Sequence, residues 1–101
     1  MNSSATNQIE IRATSVRVSD DSLVVDLTNG RTVSAPLAWS ARLLHGSVSE
    51  RKDYLLIGKS VGIHWPQLDE DISVDGILAG GKWYESKESF DQWLISQRRP
   101  S

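Results

Sequence analysis

The stretch "SVRVSDDSLVVDLTNGRTVSAPL", residues 15–37, restricts the fold more than any other part of the chain. Val16 and Val18 alternate with polar neighbours, "SDDS" follows as a turn, and Leu23, Val25 and Leu27 alternate again. A period of two marks strands with one buried face. The Asn29-Gly30 pair predicts a hairpin, and the apolar register selects its loop. A two-residue loop would set Val25 opposite Ser34 and Leu27 opposite Thr32, mixing apolar with polar. A three-residue loop of Thr28, Asn29 and Gly30 pairs Val25 with Val33 and Leu23 with Ala35, and puts Gly30 where a left-handed residue is needed. A four-residue turn over Ser19–Ser22 likewise sets Val18 opposite Leu23 and Val16 opposite Val25. The expectation is a three-stranded antiparallel meander whose single apolar face the remaining chain must cover.

Pro36 ends the third strand or places it at an edge, since it has no N–H for a ladder. Ser40 reads as the N-cap of a short helix, Ala41 to His45, stopped by Gly46. "SVSE" at 47–50 is a capping-box pattern, predicting a second helical stretch toward Leu56 that stops near Gly58. Val61, Ile63 and Trp65 alternate with Gly62 and His64, so a short fourth strand is expected there. Ser73 or Asp71 would cap one or two helical turns through Leu78, closed by Gly80-Gly81. The last helix, 86–99, has Ser86 as N-cap, Glu88 and Asp91 early, and Arg98 and Arg99 late, in the sense the helix dipole favours. Phe90, Trp93, Leu94 and Gln97 fall at i, i+3, i+4 and i+7, an amphipathic stripe.

At 101 residues there is room for one core. The expectation is a frayed tail over 1–8 and a single α+β domain over 9–101: a small antiparallel sheet, the meander plus the fourth strand, with two to four short helices. Four tryptophans supply much of the buried area, each ring covering roughly 150–250 Å². Trp39 and Trp65 adjoin strand ends and are expected in the core. With 11 basic and 13 acidic residues the net charge is −2, which lacks the basic footprint of a general nucleic-acid binder. The absence of cysteine excludes disulfides and thiolate metal sites. No apolar run approaches the roughly 18 residues of a membrane span, and "MNSSATNQ" lacks the order of a signal peptide. A soluble, cytoplasmic protein is expected.

One segment looks chemical: "GIHWPQLDEDI", residues 62–72. His64 with Asp69, Glu70 and Asp71 could bind a divalent ion or serve acid–base catalysis. The spacing matches no metal motif, and His45, the other histidine, lies in a different element. Carboxylates also gather at helix starts, each stabilised there by about 0.3–1 kcal/mol. No catalytic or metal-ligating residue is therefore assigned. "GKS" at 58–60 ends like a Walker motif but lacks the upstream glycine, and Asp53 to Ile57 reads as helix. Arg51 and Lys52, or Arg98 and Arg99, could meet phosphates, although paired basic residues usually form solvated surface. Trp83-Tyr84 lies among polar residues as a possible exposed aromatic pair.

The segments "LTNGRTVSAPLAW" (27–39) and "GIHWPQLDEDISVDGILAG" (62–80) resemble a bacterial family known as domain of unknown function 2442. Tyr54 stands where such relatives often carry tryptophan, and Ile77 where they often carry leucine. The resemblance implies a short α+β domain with no established catalytic activity, similar to small proteins encoded beside a second short protein in toxin–antitoxin fashion. Some longer relatives add a helix-turn-helix module; the one helix expected after residue 80 is too little for it.

These readings converge on a non-enzymatic protein-interaction or regulatory domain, antitoxin-like or inhibitory, in a bacterial or phage setting. Its expected partner is another protein, encoded by an adjacent gene, met through Asp69, Glu70, Asp71, Trp83 and Tyr84. Self-association is possible, and no cofactor is expected. One rival is a small metal-dependent hydrolase using His64 and the 69–71 carboxylates. Another is a nucleic-acid-associated regulator.

Overall fold

The computed structural model describes residues 10–80 and 85–97. The expected tail over 1–8, Trp83-Tyr84 and the basic pair 98–99 lie outside the described residues.

Strands β1 (Ala13–Val18), β2 (Ser22–Leu27) and β3 (Thr32–Pro36) form an antiparallel sheet in the order β1-β2-β3. Its register follows the apolar pattern: Val18↔Leu23↔Ala35 and Val16↔Val25↔Val33 lie in rows across the sheet. Gly30 closes the second hairpin at φ +86°, donating its N–H to Leu27 O at 3.1 Å, while Leu27 N–H reaches Arg31 O at 2.8 Å. That is the three-residue loop expected from the pairing of valines. The opposite face is polar, with the Asp26 carboxylate accepting from Ser15, Arg17 and Thr32.

Leu37–Trp39 makes one 3-10 turn, and the Ser40 hydroxyl then accepts from Leu43 N–H to start α1 (Ala41–His45). Gly46 follows for lack of room: a Cβ there would stand 2.8 Å from Leu68 Cδ1. The capping box forms as expected, with Ser47 and Glu50 bonding each other's backbone at the start of α2 (Val48–Lys52).

The expected continuation of α2 toward Gly58 does not occur. The helix ends at Lys52, and Leu55–Ile57 is a strand, β4. Period-two alternation wins here, because Leu56 turns inward against Ile63 while Leu55 and Ile57 face out. β4 pairs with β5 (Gly62–Trp65), and β5 pairs with β6 (Glu70–Ser73), giving a second antiparallel sheet in the order β4-β5-β6. The expected fourth strand is thus β5, the centre of its own sheet. Asp71 lies within β6, and Ser73 is the cap of α3 (Val74–Leu78). "GKS" forms the β4–β5 turn, so it precedes a strand and no phosphate-binding helix. Gly58, Lys59 and Ser60 all have positive φ, at +59°, +60° and +71°. From this turn Ser60 O accepts Ala13 N–H at 2.8 Å and Val61 O accepts Val74 N–H at 2.9 Å, joining the two sheets and α3.

The inner faces of both sheets share one core containing Leu23, Val25, Ile63, Ile72 and Trp65, the last fully buried. Trp39 packs against it half-buried. Trp65 keeps its indole N–H satisfied on Arg51 O at 2.9 Å. The last helix, α4 (Lys87–Gln97), begins under Ser86, whose hydroxyl accepts Ser89 N–H, and buries Trp93. No helix among the described residues is long and apolar enough to cross a membrane.

Candidate interaction site

The 62–72 segment folds as β5, a tight corner and β6. Ile63 and Trp65 point into the core, which puts His64 on the outer face. Pro66 and Gln67 are exposed at the corner, Leu68 is buried beneath it, and Asp69 takes φ +51° to re-enter a strand. In β6, neighbouring side chains point to opposite faces. The three consecutive carboxylates accordingly reach three different partners.

Asp69 turns toward α4, where its Oδ2 accepts the Trp93 indole N–H at 3.0 Å. Its carbonyl accepts from Arg42 at 2.8 Å. Arg42 grips Glu85 with two nitrogens, Nε at 2.9 Å and Nη2 at 2.6 Å, and its guanidinium carbon lies 4.9 Å from the Trp93 ring centre. A planar fork-shaped cation can grip a carboxylate with two nitrogens while lying against an aromatic face, a bidentate geometry that lysine lacks. His45 sets its ring edge-on to Trp93 at 5.6 Å, and Phe90 stacks on Trp93 at 5.8 Å. Arg42 holds the Glu85 carboxyl below its ordinary range, chiefly through these hydrogen bonds, and Glu85 raises Arg42 in return.

Glu70 is held instead by the residue that starts α1. Its Oε2 accepts the Ser40 hydroxyl at 2.5 Å, and its Oε1 accepts Asp71 N–H at 3.1 Å. Burial pushes the Glu70 carboxyl up, against the opposing pull of the Ser40 hydrogen bond. Asp71 faces solvent and meets His64 Nδ1 at 2.5 Å, in a cross-strand row with the exposed Leu55. Of the proposed contact residues, Asp69 and Asp71 are exposed and Glu70 is half-buried. Among the described residues no three His, Asp or Glu side chains converge as metal ligands would.

Sequence reasoning did not single out Arg42 or Glu85, and it read Ser40 as an N-cap without its bond to Glu70, because these partners lie 27 to 43 positions away. The reading of Arg51 as solvated surface is corrected. Arg51 is 9% exposed, and donates to Leu43 O and Leu44 O at 2.8 and 3.0 Å, closing the carbonyl end of α1. Its neighbour Lys52 is exposed.

The family model described as protein of unknown function (DUF2442) matches residues 13–82, which hold both sheets and the corner. The chain belongs to the DUF2442 family. Among solved structures it is similar to a protein of unknown function from Rhodospirillum rubrum ATCC 11170, with 31% identity and a TM-score of 0.64, over 78% of this chain and 95% of that one. It also shares the fold of an uncharacterized protein from Chromobacterium violaceum, with 18% identity and a TM-score of 0.61, over 97% of this chain and 85% of that one. No curated protein matches the chain. Within this DUF2442 chain α4 lies beyond the matched span, yet Arg42 and Asp69, both inside it, hold α4 in place.

Proposed function

We propose that this DUF2442 chain is a non-enzymatic interaction domain that regulates a partner protein, in the manner of an antitoxin or inhibitor, in a bacterial cytoplasm. The observation that carries this reading is the divergence of the three carboxylates. Each is bound to its own partner, Trp93, Ser40 or His64, so the block builds a rigid corner and leaves no convergent reactive centre. A hydrolase built on His64 and residues 69–71 would need those groups within reach of one substrate atom. Asp69 and Glu70 are instead committed away from His64. The acidic rim at Asp69 and Asp71 suits a basic patch on the partner, where rim charges chiefly raise the association rate and specificity. A near-neutral net charge gives little support to direct nucleic-acid binding.

The test is co-purification of the tagged chain with the product of the neighbouring gene. Retention of that product in a stoichiometric complex is expected. Asp71→Lys should weaken retention at least fivefold while leaving the unfolding midpoint nearly unchanged, because an exposed polar contact such as that of Asp71 with His64 contributes little to stability. A chain that elutes alone beside its neighbour would overturn the proposal. So would an Mn²⁺- or Mg²⁺-induced rise in melting temperature that Asp69→Asn removes.

A further inference from the structure

The outer edge of β1 borders a cleft of about 290 Å³ lined by Val16, Arg17, Val18, Arg51, Lys52 and Tyr54. That is close to the lower size of ligand pockets, roughly 300 Å³. Strand geometry fixes which backbone groups face it. Val16 N–H points away from β2 and donates to the Tyr54 hydroxyl at 3.3 Å, while Ser19 N–H points inward to Ser22 O at 2.9 Å. By the two-residue alternation of a strand, Val16 C=O and both backbone groups of Val18 face the cleft, where no group among the described residues bonds them. An unpaired strand edge of this kind is a template for another extended chain.

The side chains select what kind. Arg17, Arg51 and Lys52 line the cleft, but Arg17 is already paired with Asp26, so Arg51 and Lys52 are the cations that face a ligand. Arg51 is fixed by the Leu43 and Leu44 carbonyls, so its position costs a ligand no ordering. Its remaining nitrogen, Nη1, already takes a carboxylate: Asp20 of the β1–β2 turn, at 3.2 Å and with its side chain 96% exposed. So exposed a pair is held weakly, and an arriving carboxylate can replace it. Lys52 has no ion pair among the described residues.

We infer that this cleft is a docking site for an extended acidic segment of a partner protein. The segment adds to β1 through Val16 C=O and Val18 N–H, and places a carboxylate between Arg51 and Lys52. The inference rests on reading the chain as an interaction domain, but it uses none of the residues of the 69–71 corner.

The experiment uses the full chain and a fluorescein-labelled, acetylated peptide of alternating glutamate and valine, followed by fluorescence anisotropy. A matched lysine–valine peptide is the control. Saturable binding of the glutamate peptide alone is expected, with Lys52→Glu weakening it at least fivefold. Val18→Pro, which deletes the edge N–H, should weaken it at least tenfold. Because that variant can also disturb β1, amide NMR of the wild-type chain gives an independent readout: the Val18 signal shifts on titration, while Thr32 and Ser34 on the far edge do not. Equal binding of both peptides, full affinity in Lys52→Glu, or shifts that spare Val18 would each overturn the inference. Since the peptide replaces the natural partner, failure here leaves the co-purification test standing, and the converse holds too.

Discussion

Two glycines show how one residue type serves two physical needs. Gly30 sits at φ +86° with open space around it, so a side chain there meets strain and no neighbour. Gly46 has an ordinary φ of −66°, but a Cβ would press on Leu68. Gly30→Ala should therefore cost about 1 kcal/mol and Gly30→Asn less, since asparagine tolerates the left-handed region. The order reverses at position 46, where alanine costs about 1–3 kcal/mol by overpacking and asparagine more. Urea denaturation of the four variants checks both orders. Glu70 sets a pH dependence of opposite sign to that of Glu85. Its folded-state pKa is raised, so the stability tied to its proton is full below the ordinary value of 4.5 and is lost as pH rises through the folded value. Glu85, held low by Arg42, contributes stability above 4.5 that disappears as pH falls. Glu70→Gln should remove the decline above pH 4.5 and leave the acid-side loss, as read from denaturation midpoints across pH. The Gly30 loop was legible in the sequence, since one apolar face admits one register. The divergence of Asp69, Glu70 and Asp71 was not. It depends on a left-handed φ at Asp69 and on strand alternation, which composition and spacing do not reveal.

Among the elements, the meander was readable because β2 alternates cleanly over six residues and Val16 and Val18 of β1 keep the same period, although a register shift interrupts β1 between Ala13 and Ser15. The second sheet was not, since β4 has three residues and β6 has four, three of them polar. A capping box announces where a helix begins and is silent about its length. α2 accordingly started where expected and stopped after five residues, giving way to pairing with β5. α4 shows the reverse balance, with its start and stripe readable but its seat supplied by Arg42, His45 and Asp69 from distant segments. Its docking should be separable from the core. Trp93→Ala is expected to cost about 3 kcal/mol. In hydrogen exchange it should expose the α4 amides first, while the β5 amides keep their protection. If β5 loses protection in parallel, α4 and the sheets form one cooperative unit instead.

For the molecule as a whole, Arg51 is a polar joint between segments far apart in the sequence. Its side chain closes α1 and reaches the β1–β2 turn, while its carbonyl receives the Trp65 indole. Arg51→Met strips two carbonyls of their buried partners and should lower stability by about 2–4 kcal/mol in a single cooperative transition. Arg51→Lys should recover less than half of it, because one ammonium cannot span the Leu43 and Leu44 carbonyls and Asp20 together. Circular dichroism during urea titration reads both. The β4–β5 turn is the other joint, and it is made of L-residues in a shape suited to their mirror images. Lys59 and Ser60 hold positive φ so that Ser60 O can reach Ala13 in the first sheet. Chemical synthesis of the chain with D-lysine and D-serine at these two positions should therefore stabilise it, by about 1 kcal/mol per inverted centre. At almost any other site, inverting an α-carbon would do harm.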